Sequence, residues 1–271
     1  MQNILEQYYN IIRLFTNCPN ELLIFIYYIV DRRIAVLSML IRCLVIPPVG
    51  MLKSWWMVTI DPLLKNSRSD FSFPSTHTVS ISMPYFGLAI GLKRWGAVLY
   101  MLYPIFIISI CGSYEFFHFH SHYDVLAGAG ISLIGYVLIQ ISHQLVKKDR
   151  VLGYVVIVFT ILLSYSLLFL VGDCKILQKY HIIMFISIVF MTCTLGAAGT
   201  FDKDLPKGLI ARFPSLFIAL ALFKLLSFTQ LLGISSWSIE LLKGLLLPFV
   251  IFVLPDMLVS TVFGKLRSSS G

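Results

Sequence analysis

The sequence predicts an all-α, polytopic transmembrane helical bundle of about nine spans, because its apolar runs recur at bilayer-crossing length, about 17–25 residues each. Two further observations carry the same prediction. Hydrophobic residues make up 58% of the 271-residue chain and charged residues only 13%. With a mean hydropathy of +0.87, the chain holds more apolar surface than a soluble domain of this size can bury. The remaining charges gather between the apolar runs, as they do in the loops of membrane proteins.

Taken in order, a weak first span covers 12–31, bent near Pro19 and stopped by Asp31-Arg32-Arg33. The runs 34–52, 76–92, 96–113, 124–143, 151–172, 181–200, 210–233 and 241–263 follow. Arg32-Arg33, Lys93-Arg94, Lys147-Lys148-Asp149-Arg150, the group Lys203, Lys207 and Arg212, and Lys265 with Arg267 fall at every second junction. The positive-inside rule makes those junctions cytoplasmic. Lys53, His77 and His120 then share the opposite face, along with the 53–75 loop, Asp173–Lys179 and "SSWS" at 235–238. There is no internal repeat, and the terminal "SSSG" reads as a frayed tail. The division is an N-terminal segment with the weak span (1–33), a membrane core holding most unusual polar groups (34–143), and a C-terminal transmembrane annex (144–271).

Composition also excludes several classes. The net charge of +8 comes as small basic clusters between apolar runs, not as the continuous footprint of a nucleic-acid binder. Cys18, Cys43, Cys111, Cys174 and Cys193 are scattered, without a CxxC pair, so neither a disulfide framework nor a zinc module is expected. No N-x-S/T sequon occurs, and "MQNILEQYYN" lacks the basic start of a removable signal peptide. Targeting falls to the first spans. No span outside the 34–143 region is read as carrying charges that mark an ion path, which argues against a channel or transporter. Trp55 and Trp56 read as an interfacial aromatic belt, with the lining of a lipid entry as the alternative.

Two stretches carry chemistry. In "SDFSFPSTHTVS" (69–80), Pro74 suits a first helical turn, and Ser75 and Thr76 are natural caps. A helix start there would favour an anion such as phosphate, with His77 beside it. In "EFFHFHSHYDVLAG" (115–128) three histidines fall within five positions. If the helix reaches back one turn, His120 and Asp124 lie i,i+4 on one face. The carboxylate would then fix the imidazole tautomer and leave the other nitrogen free to attack or to pass a proton. A zinc pair at His118 and His122, with Glu115 or His77 as further ligands, and idle interfacial histidines remain alternatives. His143 and His181 read as structural.

"PSTH" at 74–77, followed by Ser113, His120 and Asp124 in S-x6-H-x3-D spacing, resembles the type 2 phosphatidic acid phosphatase superfamily. Its pattern is K-x6-R-P, then P-S-G-H, then S-R-x5-H-x3-D. The likeness covers roughly 30–145. Within the superfamily the chain looks most like sphingosine-1-phosphate phosphatases, through "SDFSFPSTH" and "HSHYD", and next like glucose-6-phosphatases. The resemblance implies that His120 is the nucleophile taking the phosphoryl group, that Asp124 orients it, and that His77 is the general acid. It implies that Lys53, Ser75 and the amides around Thr76 and His77 cradle the phosphate, with Ser113 supporting the same oxygens. No cofactor and no metal are implied. The substrate would be a lipid phosphate reached from the surrounding membrane lipids, in the endoplasmic reticulum membrane, with a lumenal site and a cytoplasmic C-terminus.

The chain departs from that pattern at two arginines. "KSWWMVTIDP" follows Lys53 without Arg-Pro, and Tyr114 stands after Ser113. An arginine on a transferring phosphoryl group is worth about 10³–10⁵ in rate. Arg68 and Lys65 in the preceding loop, and the Tyr114 hydroxyl, are the available substitutes; an ordinary solvated loop is the alternative for the first two. Three readings therefore stand: a metal-independent lipid phosphate phosphatase, a sugar phosphatase, and a catalytically silent phospholipid-binding relative.

Overall fold

The computed structural model describes residues 2–56, 73–117, 120–171, 179–202, 210–231 and 237–268. Every regular element among them is helical. The order is α1 (Gln2–Thr16), α2 (Pro19–Phe25) running into a π-helical stretch (Ile26–Val30), α3 (Arg32–Trp56), α4 (Thr76–Gly91), α5 (Gly96–Phe116) and α6 (His122–Lys148). Then come α7 (Arg150–Val171), α8 (Lys179–Ala197), α9 (Phe213–Leu231), α10 (Trp237–Phe252) and α11 (Leu254–Ser268).

Five segments among the described residues are long and apolar enough to cross a membrane: Arg32–Lys53, Gly96–Phe116, His122–Lys148, Arg150–Leu168 and Gly244–Thr261. Pro19–Val30, Met184–Ala197 and Phe213–Leu225 are apolar but shorter. Outward stripes support the assignment. Met101, Ile105 and Ile108 on α5, Leu133, Ile134, Val137 and Ile141 on α6, and Val155, Phe159 and Leu163 on α7 are all exposed. Large apolar side chains repeating every three or four residues form a continuous greasy face, which water would not tolerate and lipid does.

One expected span is shortened in the structure, and another keeps its crossing length across a break in the helix. The run 12–31 is divided at Pro19, so that α1 is a separate helix whose Ile4, Ile11 and Leu14 stay exposed. The run 241–263 breaks at Val253, where Pro255 in the first turn of α11 cannot donate into the preceding helix. Tyr27 Oη donates to the Phe252 carbonyl (3.1 Å) and Tyr28 Oη to the Ile251 carbonyl (2.5 Å). Those bonds satisfy two of the acceptors that any helix end leaves open. Arg32 pairs with Asp256 at 2.6 Å and fastens α11 to the start of α3.

α3 is the shared wall of two cores. Ile41, Val45 and Val49 pack with Val79 and Met83 of α4, Ile110 of α5 and Ile139 of α6. Val36, Leu40 and Cys43 face Tyr154 and Ile161 of α7, Val189 of α8 and Ile251 of α10. Pro47 and Pro48 lie inside α3, and having no N–H they leave the carbonyls of Cys43 and Leu44 without helical donors. Ser164 of α7 supplies one, its Oγ donating to the Leu44 carbonyl at 3.2 Å.

Most charges collect at the Arg32 end. Asp202 accepts from Arg33 Nε (2.7 Å) and Arg150 Nη1 (2.6 Å), and Arg212 Nη1 donates to the Ile29 carbonyl (2.7 Å). Lys53 stands at the other end of the same helix. Of the basic junctions that the sequence assigned to one face, Arg32-Arg33, Arg150 and Arg212 are together at this end of the bundle, while Lys203 and Lys207 lie outside the described residues.

A side chain on Gly244 would begin 2.6 Å from the Met184 carbonyl oxygen, whereas one on Gly130 would meet nothing within 4 Å. Gly244→Leu is expected to destabilise the chain by about 1–3 kcal/mol through overpacking between α8 and α10. Gly130→Leu is expected to leave stability unchanged. Thermal unfolding of the full chain in detergent checks both, and equal midpoints would mean that α10 has room to move.

Candidate active site

The site grows from two helix starts. Ser75 caps α4: its Oγ accepts from the Thr78 amide (3.3 Å) and from Thr78 Oγ1 (3.0 Å). The amides of Thr76 and His77 precede the first helical acceptor, and among the described residues neither has a backbone partner. They form the positive end of the helix. Pro74 lies just before the cap, joined to Phe73 by a cis bond, so it is not the first-turn residue the sequence suggested.

Ser121 caps α6 in a capping box. Its Oγ accepts from the Asp124 amide (3.3 Å), while Asp124 Oδ2 accepts from the Ser121 amide (3.0 Å). His120 consequently sits outside the helix instead of one turn inside it. The serine cap starts the helix at His122 and is itself extended. The imidazole still meets the carboxylate: His120 Nδ1 is 3.6 Å from Asp124 Oδ2, the two side chains being 8% and 4% exposed. That distance exceeds a hydrogen bond, and His120 Nδ1 has no other partner among the described residues. Nδ1 is the ring nitrogen turned toward Asp124, without a hydrogen bond to it, which leaves Nε2 as the candidate for chemistry.

The two starts are held together. The Ser75 amide donates to the Asp124 carbonyl at 3.0 Å. Gly128, one turn into α6, permits this approach, since a Cβ there would lie 2.7 Å from the Ser75 carbonyl oxygen and 3.1 Å from Thr78 Cβ. The result places the His77 and His120 rings 5.8 Å apart, centre to centre. Tyr114 completes the cluster at 5.4 Å from His120 and 6.2 Å from His77. His77 remains exposed, so the space between the rings opens to the surface. Lys53, buried in the last turn of α3, acts electrostatically on His77.

His77, His120, Asp124, Tyr114, Lys53, Ser75 and Thr76 are thus brought to one end of the bundle. Ser113 is buried beside them, but its hydroxyl donates to the Tyr9 carbonyl (3.2 Å) and so points at α1. Ser75, fully buried, spends its oxygen on the cap. Arg68, Lys65 and His118 lie outside the described residues. Glu115, whose sign is wrong for an anion site, is occupied by His122: Nδ1 lies 2.6 Å from Oε1, and the His122 amide donates to the same oxygen at 3.1 Å. Among the described residues no three of His, Cys, Asp and Glu converge as metal ligands.

One contribution escaped the sequence reading. α1 packs on the end of α5, with Tyr8 Oη donating to Ser109 Oγ (2.7 Å) and the Tyr9 ring tilted against Phe116 at 5.1 Å. Arg13 lies over the Phe117 ring at 5.4 Å and, with Thr16, borders Tyr114. The signal was the helical spacing of Leu5, Tyr9 and Ile12 beside the polar residues Gln2, Glu6 and Arg13.

No family profile, no curated protein and no solved structure matches this chain.

Gly128→Val is expected to cost about 1–3 kcal/mol by driving α6 from α4, more than Ser75→Ala, which removes a cap contribution of about 1 kcal/mol. Unfolding midpoints of the two variants decide. The reverse order would mean that the close approach at Gly128 is not what sets the site.

Proposed function

We propose that the protein is a membrane-embedded, metal-independent phosphomonoesterase acting on a lipid phosphate, with a sphingoid-base phosphate such as sphingosine-1-phosphate as the preferred class. One observation carries the reading: two imidazoles face each other 5.8 Å apart at two converging helix starts, one of them backed by a buried carboxylate. Helix N-termini favour anions, and a group the size of phosphate can touch both rings.

In this reading His120 Nε2 attacks phosphorus while the bond to the leaving alkoxide breaks, and His77 gives that oxygen its proton. The Asp124 carboxylate stabilises the positive charge that develops on the His120 ring. Water then attacks the phosphohistidine, losing a proton to His77, and the P–N bond breaks to release inorganic phosphate and restore both rings. Lys53 and the amides of Thr76 and His77 face the equatorial oxygens, where phosphoryl transfer needs stabilising charge. Tyr114 offers a hydroxyl where the related enzymes have an arginine, so turnover is slower than theirs. Nine spans, an endoplasmic reticulum address and a lumenal site belong to the same proposal, supported by the separation of Lys53 from the Arg32 end.

A second reading, a catalytically silent phospholipid binder, is favoured by Ser113, whose hydroxyl is turned to Tyr9. A third, a sugar phosphatase, keeps the chemistry and changes the substrate.

Membranes treated with chelator are expected to release phosphate from sphingosine-1-phosphate faster than from glucose-6-phosphate. His120→Ala is expected to abolish release, and Asp124→Asn to reduce it by at least about 10², the scale of acid–base assistance. Acid-labile label trapped on the purified protein checks the intermediate. Hydrolysis that survives His120→Ala defeats the mechanism, and no hydrolysis with no trapped label favours the silent binder.

A further inference from the structure

The sequence reading found no marking charge in a span outside 34–143, yet Glu21 of α2 and Lys224 of α9 lie in such spans and pair with each other, and beside them Arg42 stands halfway along α3. "SMLIRCLV" (38–45) hides it in an apolar run. It lies ten residues from Arg32 and eleven from Lys53, about 15 Å from either end at 1.5 Å per residue. A guanidinium at that depth is costly, and such groups face protein-lined cavities and mark sites.

Arg42 lines a cavity of about 200 Å³ between the core and the annex. Its Nη1 donates to Asn20 Oδ1 at 2.8 Å, and among the described residues no carboxylate pairs with it. Glu21, the acid acting on it electrostatically, is engaged by Lys224 of α9. Asn20 is neutral, so one hydrogen bond is met while the charge is not, and guanidinium offers five N–H donors in a fork. The other walls are almost wholly apolar, among them Met39, Phe185, Leu247 and Phe252. A cation without a carboxylate hydrogen-bonded to it among the described residues, in a greasy chamber midway along an apolar helix, suits an oxyanion carried on an acyl chain.

We propose that this cavity binds an anionic membrane lipid, its carboxylate or phosphate on the Arg42 guanidinium and its chain against the annex helices. The site is separate from the histidine pair, about 16 Å further along α3 at 1.5 Å per residue, and does not depend on the phosphatase reading.

The full-length protein, placed in phosphatidylcholine nanodiscs doped with oleate or with phosphatidic acid, is read by native mass spectrometry for retained lipid. The wild-type chain is expected to hold one anionic lipid, and the doping arm that loads it tells carboxylate from phosphate. Arg42→Gln keeps a donor for Asn20 and is expected to bind about tenfold or more weakly, the worth of a charge-assisted hydrogen bond. Leu247→Trp leaves Arg42 in place, fills the chamber and is expected to do the same; if Arg42→Gln does not fold, this variant decides. His120→Ala is expected to retain the lipid. Undiminished retention by either folded variant, loss in His120→Ala, or an empty wild-type chain in both arms overturns the proposal.

Discussion

The candidate site depends on one backbone contact, the 3.0 Å hydrogen bond from the Ser75 amide to the Asp124 carbonyl. A helix start has amides to spare, and here one of them is spent on a neighbouring helix, which fixes where α4 begins relative to α6. The contact forms only because Gly128 presents no side chain to the Ser75 carbonyl. His77 and His120 inherit their separation from it, since each lies within two residues of a serine cap. The Asp124 side chain closes its own capping box and faces His120 from the same position. A single short segment thus sets helix boundary, helix contact and imidazole orientation.

Around that contact the bundle segregates charge by depth. Arginines and their aspartate partners occupy the Arg32 end, and the histidine pair with Lys53 occupies the other. Between them lies a further charged group, Arg42 with Lys224 and Glu21 beside it. α3 touches all three zones, because it is packed on one side by the helices of the histidine pair and on the other by the annex.

How much of this the sequence disclosed varies with the range of the interaction involved. Five of the expected spans followed from run length, because burial in lipid is a local property of each run. The Ser75 cap was legible for the same reason. The proximity of His120 to Asp124 was anticipated from helical spacing, yet His120 lies before the helix, on the far side of the Ser121 cap, a capping choice that spacing alone does not reveal. Ser113 shows the opposite case. Its neighbour in space is Tyr9, over a hundred residues away in the chain, and no local pattern announces that pairing. Arg42 went unread because averaging over an apolar run hides one charge, and the break at Val253 because a proline two residues later was absorbed into a long hydrophobic stretch.

The two prolines of α3 bear on whether the histidine half can stand alone. Residues 34–143 hold most of the unusual polar groups, and the packing of α3 with α4, α5 and α6 is self-contained, although its other face packs on the annex. The main chain of α3 is not self-contained, since the Leu44 carbonyl, which Pro48 cannot satisfy, borrows its donor from Ser164. Excising the C-terminal helices would strand an acceptor in hydrocarbon, where an unmet peptide group costs several kcal/mol. The minimal fragment able to keep α3 intact therefore reaches at least through α7, and the boundary between the halves is an electronic seam rather than a place to cut.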